Sequence, residues 1–111
     1  MPFIDLEEVK PELVTPKHST AFGPLVTGEA IELGRLRYKA GEGAERHEHP
    51  QEQIIIVLKG RVRIQLGDEI AELGPGTGFH APPWVPHQMW VLEDAEVISC
   101  KSIVDGAGHR I

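Results

Sequence analysis

Three of the six histidines stand at spacings that suit a metal site. His47 and His49 are separated by one residue, a spacing that on a β-strand directs both imidazoles to the same face. Pro50, which follows directly, disfavours a helix here. His87 lies on a later segment and would supply a third nitrogen. Two histidines from one strand and one from another can hold a divalent metal and leave positions open for a ligand. The alternative for His47 and His49 is a solvated pair in a polar loop.

The elements that must position these histidines are predicted to be short β-strands. Residues 31–40 alternate apolar and charged side chains, and Gly34 interrupts the phase, which suggests a bulge. Residues 53–58 form a continuous apolar strand that begins at Gln53. A tight turn at residues 59–60 and the alternation over residues 62–66 then predict a hairpin.

The second half of the chain continues the same pattern. A short strand is predicted over residues 69–73 and another around residues 79–81. Residues 87–92 and 96–104, separated by a turn at Glu93-Asp94, predict a last hairpin. Short strands with turns every 8–12 residues favour an all-β sandwich or small barrel.

Length and charge restrict the function classes. The chain has 111 residues, enough for one domain, and we divide it into an arm (1–24) and a β-barrel (25–111). Its formal net charge of −6 makes nucleic acid and membrane surfaces poor partners. Neither a secretory signal nor a membrane-spanning segment is recognisable, and one cysteine cannot form an internal disulfide. We therefore predict a cytoplasmic protein.

Two spaced motifs resemble those of the cupin family. Gly41-x5-His47-x-His49-x3-Gln53-x6-Gly60 is similar to the first cupin motif, and Gly76-x5-Pro82-x3-Pro86-His87 is similar to the second. The resemblance extends over residues 33–101 and is closest to small bacterial cupins. It implies an antiparallel jelly-roll barrel (a double-stranded β-helix), usually dimeric, with a metal held inside the mouth by His47, His49, Gln53 and His87.

Three positions depart from the family pattern. Gln53 stands where the family usually has a glutamate ligand, Trp84 replaces a glycine, and Val91 replaces an asparagine. Because Gln53 is uncharged, the ligand set leaves the full charge of a divalent ion uncompensated. Such a centre should favour a small anionic or enolisable ligand.

These considerations predict a metal-dependent enzyme that carries one divalent ion (Ni, Zn, Mn or Fe). Isomerase, lyase or ring-opening chemistry, or a dioxygenase, would suit the site. The alternative is a non-catalytic cupin that binds a small ligand or a metal. Some related small cupins open unsaturated sugar acids, but they carry an acid and an aromatic residue where this chain has Ser99 and Lys101.

The residues around the metal follow from strand alternation. Lys101 and Glu45 are the predicted catalytic residues, Lys101 because burial would lower the pKa of its amine. The predicted pocket residues are Tyr38, Ile55, Val57, Met89 and Ser99. His80 is expected to face away from the pocket, and His18 and His109 are expected to face solvent. The outward residues Ile54, Ile56 and Leu58 predict a homodimer.

Overall fold

The computed structural model describes residues 3–111, so the first two residues of the predicted arm lie outside the described range. The described chain is almost entirely antiparallel β-structure, which confirms the predicted fold class. A single 3₁₀ turn, Leu6–Glu8, precedes the strands, and the side chain of Asp5 caps it. The strands are β1 (Glu12–Leu13), β2 (Phe22–Gly23), β3 (Leu25–Thr27), β4 (Ile31–Tyr38), β5 (Gly43–His47), β6 (Gln53–Leu66), β7 (Glu69–Leu73), β8 (Gly78–Ala81) and β9 (His87–Ser102).

Two long strands, β6 and β9, form the centre of the barrel. They pair with each other over almost their whole lengths, from Gln53 opposite Lys101 to Leu66 opposite His87. The first half of β6 also pairs with β8 and its second half with β7. Likewise, β9 pairs with β5 at its start and with β4 at its end. Each long strand therefore contributes one half to each of two packed layers.

The predicted turns at residues 59–60 and 93–94 are wrong, because both strands run through these positions. Register shifts between Val57 and Val62 mark irregular pairing there, where the strand bends instead of reversing. Gly60 lies inside this region with a φ of +80°, and a Cβ on it would lie 2.1 Å from the carbonyl oxygen of Asp94. Glycine is required at this bend on both grounds.

The predicted bulge at Gly34 is also wrong. β4 keeps unbroken register with β9 from Ile31 to Tyr38, so its alternation never changes phase. As a result Ile31 is exposed and Glu32 points into the barrel. The interior tolerates Glu32 because its carboxylate accepts hydrogen bonds from Thr27 and His109.

The core lies between the two layers. Aliphatic residues from β4, β6 and β9 dominate it, and the arm adds Val14 and Ala21. The arm is thus packed against the barrel, and the division at residue 24 stays a prediction. Over residues 3–111, no helix is long and apolar enough to cross a membrane.

Candidate metal centre

The end of β5 brings His47 to the inside of the barrel. His47 lies opposite His87 on β9, with one extra residue on β5 between Ala44 and His47. On a regular strand, residues three positions apart point to opposite faces. The β-bulge changes this, so that Ala44 and His47 both line one inner cavity. β5 ends at His47, so His49 is not on the strand, although the spacing predicts that both are. A backbone hydrogen bond from Trp84 to the carbonyl of His49, 2.8 Å long, helps to hold that segment.

The structure brings the three predicted histidines together. One ring nitrogen from each of His47, His49 and His87 lies within 4.8 Å of the others. The ring centroids are 4.4 Å apart for His47 and His87, 4.9 Å for His49 and His87, and 5.5 Å for His47 and His49. This arrangement fits a shared metal ion, and the solvated-pair alternative does not describe it.

Backbone carbonyls fix the tautomer of all three rings. Each Nδ1 lies against a carbonyl oxygen two residues away, which can only accept, so a neutral ring must carry its hydrogen on Nδ1. The pairs are His47 with Glu45 (2.6 Å), His49 with Gln51 (3.0 Å) and His87 with Val85 (2.9 Å). Each Nε2 then carries a lone pair and no hydrogen, and this is the form of the nitrogen that binds a metal. The Nε2 of His49 is buried and has no hydrogen-bond partner in the described part of the chain.

Burial keeps these histidines neutral. The pKa of His47 and that of His49 are lowered to about 4, mainly by desolvation and also by the charges of neighbouring histidines and Lys101, while the backbone hydrogen bonds partly oppose this. The pKa of His87 is lowered for the same first reason. Near neutral pH the rings are therefore free of the protons that would compete with a cation.

Gln53 opens β6 and lines the same cavity. Its amide nitrogen donates a 2.9 Å hydrogen bond to the hydroxyl of Ser99, which leaves the amide oxygen for another partner. The donor set available to a metal is thus three imidazole nitrogens and one neutral oxygen. The role of Gln53 as a ligand stays a prediction.

The inner cavity is small, about 30 Å³, which leaves room for little more than a water molecule or an ion. Lys101 lines it and is 3% exposed. Among residues 3–111, Lys101 takes part in no ion pair within 4.0 Å. Burial lowers the pKa of its amine to about 8, opposed by the charge of Glu32.

A larger groove of about 730 Å³ lies on the outer side of Tyr38. Its lining includes Phe22, Arg37 and Glu96, but none of the three histidines. We assign the site to the smaller cavity, because His47 and His87 line it and the ring of His49 lies beside both of theirs.

The predicted pocket residues are all buried but differ in position. Tyr38, Ile55 and Met89 line the inner cavity, whereas Val57 packs in the core and Ser99 lies behind the cavity wall. Burial raises the pKa of Tyr38 to about 12, so its hydroxyl stays protonated.

The predicted base Glu45 points outward. Its side chain is 67% exposed, and its carboxylate lies 3.6 Å from Nδ1 of His18. Glu48 is exposed as well. His80 faces away from the pocket, as predicted, and pairs with Glu52 at 2.6 Å.

Trp84 occupies a conformation that favours glycine. Its φ is +65°, which costs a side-chain-bearing residue about 1–2 kcal/mol. This explains why the related motif has glycine at this position. The indole is largely exposed, as is part of Trp90.

Sequence reasoning missed two histidines and one acid. His18 is half-buried and stacks on His47, with ring centroids 4.8 Å apart and planes 1° from parallel. His109 is 1% exposed and lines the inner cavity, so its predicted solvent exposure is wrong. It is held there by the carboxylate of Glu32. The sequence predicts that Glu32 is buried only if the alternation of inward and outward residues along β4 is unbroken.

The bent antiparallel barrel with three clustered histidines defines a class of β-barrel proteins whose interior could hold a metal ion. The family model "Cupin domain" matches residues 34–100, and the chain belongs to this family.

Solved structures of similar fold cover nearly the whole chain. An RmlC-like cupin from Shewanella frigidimarina superposes with a TM-score of 0.82 at 18% identity, covering 95% of this chain and 93% of that one. KdgF from a Halomonas species gives a TM-score of 0.79 at 26% identity, covering 92% and 93%. Oxalate decarboxylase from Bacillus subtilis, described with Mn(II) centres, gives 0.76 at 20% identity, covering 97% of this chain and 32% of that one. Among curated proteins, no relative matches the chain.

The lowered pKa values predict that the metal-free protein loses stability in mild acid. His47, His49 and His109 titrate near 4 when folded, but near 6.5 when unfolded. Between these values the unfolded chain binds more protons. The free energy of unfolding should therefore fall as pH drops from about 6.5 to about 4, by up to about 1.4 kcal/mol per pH unit for each histidine.

Urea unfolding with EDTA at several pH values measures this slope. His80→Ala, at an exposed histidine, is the matched control and should keep the slope, whereas His49→Phe should reduce it. A free energy of unfolding that stays flat between pH 6.5 and 4.5 would contradict the neutral, desolvated state of the rings.

Proposed function

We propose that the protein is a metal-dependent enzyme that acts on a small carboxylate or an enolisable carbonyl compound. The observation that carries the proposal is the convergence of three bare imidazole nitrogens beside a buried lysine that has no carboxylate partner within residues 3–111. The ligands would be His47, His49, Gln53 and His87, and the ion would be Ni, Zn, Mn or Fe.

The charge of the site determines the ligand class. Three neutral imidazoles and an amide oxygen cancel none of the charge of a divalent ion, and Lys101 adds another positive charge at the same cavity. A buried cation without a counter-ion is costly, so a bound anion would offset this cost. A small carboxylate or an enolate supplies that negative charge.

Buried Lys101 defines the chemistry further. A divalent ion bound here would polarise a substrate carbonyl as a Lewis acid. Lys101, with its pKa lowered to about 8, can take or return a proton near neutral pH. Isomerisation, lyase and ring-opening reactions that pass through an enolate use such a proton transfer next to a polarised carbonyl. The Mn(II) centres named for the related oxalate decarboxylase support a metal in this type of barrel.

Metal content should depend on the histidines at the site. After incubation with Zn, Ni, Mn or Fe and desalting, the wild-type protein should retain about one ion per chain. His47→Ala and His87→Ala should each retain less than about a tenth of that, because each removes one of the few ligands. His80→Ala is the control and should match the wild type. Elemental analysis makes the comparison, and equal metal in all four proteins would refute the assignment.

Lys101 should control the affinity for anions and proton transfer. Lys101→Met should weaken malonate binding by at least about tenfold without loss of metal, because it removes the buried positive charge. Lys39→Met, which removes an exposed lysine, is the control. Calorimetry measures malonate binding.

Proton NMR in D₂O tests catalysis through the exchange of the methyl protons of pyruvate. The metal-loaded wild type should accelerate exchange, and Lys101→Met should be at least about tenfold slower. Malonate binding without any accelerated exchange would favour the non-catalytic binding module instead.

We further propose that the protein is a homodimer. The outward side of β6 exposes Ile54 (47%), Ile56 (39%) and Leu58 (40%). In register with them on β9 lie Ile98 and Cys100, so the apolar surface continues across two strands. A second copy carries the same surface and can cover it through a two-fold axis. The cytoplasmic location and the absence of nucleic-acid partners stay sequence-based predictions.

Ile56→Glu should shift the protein from dimer to monomer at micromolar concentration, because it buries a charge in the proposed interface. Ile70→Glu introduces the same change on β7, at an exposed position away from this surface, and should leave the mass unchanged. Light scattering after gel filtration gives both masses. A monomeric wild type would contradict the proposal.

A further inference from the structure

The C-terminal segment folds back onto the barrel and inserts His109 into it. The side chain of Gln51 donates to the carbonyl of Ala107 at 2.9 Å, and the hydroxyl of Thr15 donates to the carbonyl of His109 at 2.8 Å. The backbone N–H of His109 donates to Glu32 at 2.6 Å. The main chain of His109 is therefore anchored through both its N–H and its carbonyl.

The side chain of His109 belongs to a buried row of hydrogen bonds that ends at Gln53. Nδ1 of His109 lies 2.7 Å from the carboxylate of Glu32, and Nε2 lies 2.8 Å from the hydroxyl oxygen of Ser99. The same oxygen of Ser99 lies 2.9 Å from the amide nitrogen of Gln53. Ser99 is fully buried, and Glu32 is 2% exposed.

The chemistry of these groups sets the direction of every bond in the row. Burial by itself would raise the pKa of Glu32, but hydrogen bonds from His109 and Thr27 outweigh this and lower it, so the carboxylate is ionised and only accepts. Nδ1 of His109 must then carry the hydrogen, and Nε2 of the neutral ring accepts. Ser99 donates its only hydrogen to that Nε2, and its oxygen accepts from Gln53.

We propose that Glu32, His109 and Ser99 are positioning residues that turn the amide of Gln53 so that its oxygen, and not its nitrogen, faces the metal. The inference rests on the proposed metal site. A reversed amide would present NH₂ to the cation, and the lone pair of an amide nitrogen is delocalised into the carbonyl group and so is not available to bind a metal. Partners of this kind commonly fix the orientation of metal ligands.

The acid, histidine and serine stand in the same hydrogen-bond order as in nucleophilic triads, but the geometry assigns a different role here. A nucleophilic serine must reach the substrate. Ser99 has no exposed surface, is not on the cavity wall, and uses its oxygen to accept from Gln53. The row therefore acts through Gln53.

The test compares Zn²⁺ affinities, measured by competition with a chelator on the full-length protein. Ser99→Ala and His109→Phe should weaken Zn²⁺ binding by about 10-fold to 100-fold. Ser99→Thr keeps the hydroxyl and should restore affinity to within about threefold of the wild type. Ser102→Ala is the matched control, because it removes another serine hydroxyl of β9, one that accepts from the backbone N–H of Glu52 and lies outside the row. It should leave affinity unchanged.

The outcomes separate this inference from the proposed function. If His47→Ala abolishes Zn²⁺ binding while Ser99→Ala and His109→Phe bind like the wild type, the metal site stands and the positioning role is overturned. If wild type and His47→Ala bind equally, the metal site itself fails, and the inference fails with it.

A second measurement applies even if the variants do not fold. ¹⁵N NMR of the wild-type protein should show His109 as the neutral ring with its hydrogen on Nδ1. A hydrogen on Nε2 would reverse the donor order at Ser99 and overturn the inference, whether or not metal is bound.

Discussion

The burial of the three clustered histidines is the constraint on which the rest of the site depends. A charged imidazolium would be costly in that position, especially beside two other rings and Lys101. The rings are therefore neutral, and a neutral ring has one bare nitrogen to offer. Main-chain carbonyls take the other nitrogen, so the bare one faces the cluster. Unprotonated nitrogens arranged in this way could hold a metal ion.

The strands that form the core also position the residues of the candidate site. β6 begins at Gln53 and β9 begins at His87, and the two are paired so that Lys101 lies opposite Gln53. The same alternation that points valine and isoleucine into the core points these polar residues into the cavity. A change of register between β6 and β9 would therefore disturb both stability and chemistry.

Much of the architecture could be predicted from the sequence because its signals are local. The spacing of His47 and His49, the apolar strand after Gln53, and His87 after a proline all depend on short segments. The bends in β6 and β9 could not be predicted, since Gly60 and the Glu93-Asp94 pair have the composition of turns. Only pairing with distant strands shows that the chain continues.

His109 and Glu32 were missed for a related reason. The last residues of the chain are polar and rich in glycine, a composition typical of an exposed tail. Their burial depends on a contact between residues 77 positions apart. The signal that could have revealed it is Glu32 itself, because an unbroken alternation along β4 leaves an acid in the interior that requires a donor.

The hydrogen bonds that orient the proposed metal ligands differ in how readily mutation can change them. The histidine tautomers depend on the main-chain oxygens of Glu45, Gln51 and Val85, which every amino acid supplies equally. Substitutions at those three positions therefore leave each imidazole in the same tautomer. The amide of Gln53 depends instead on side chains, and any of these can be exchanged. Gln53, the proposed fourth donor, is therefore the residue of the candidate site that substitution of its neighbours can most easily reorient.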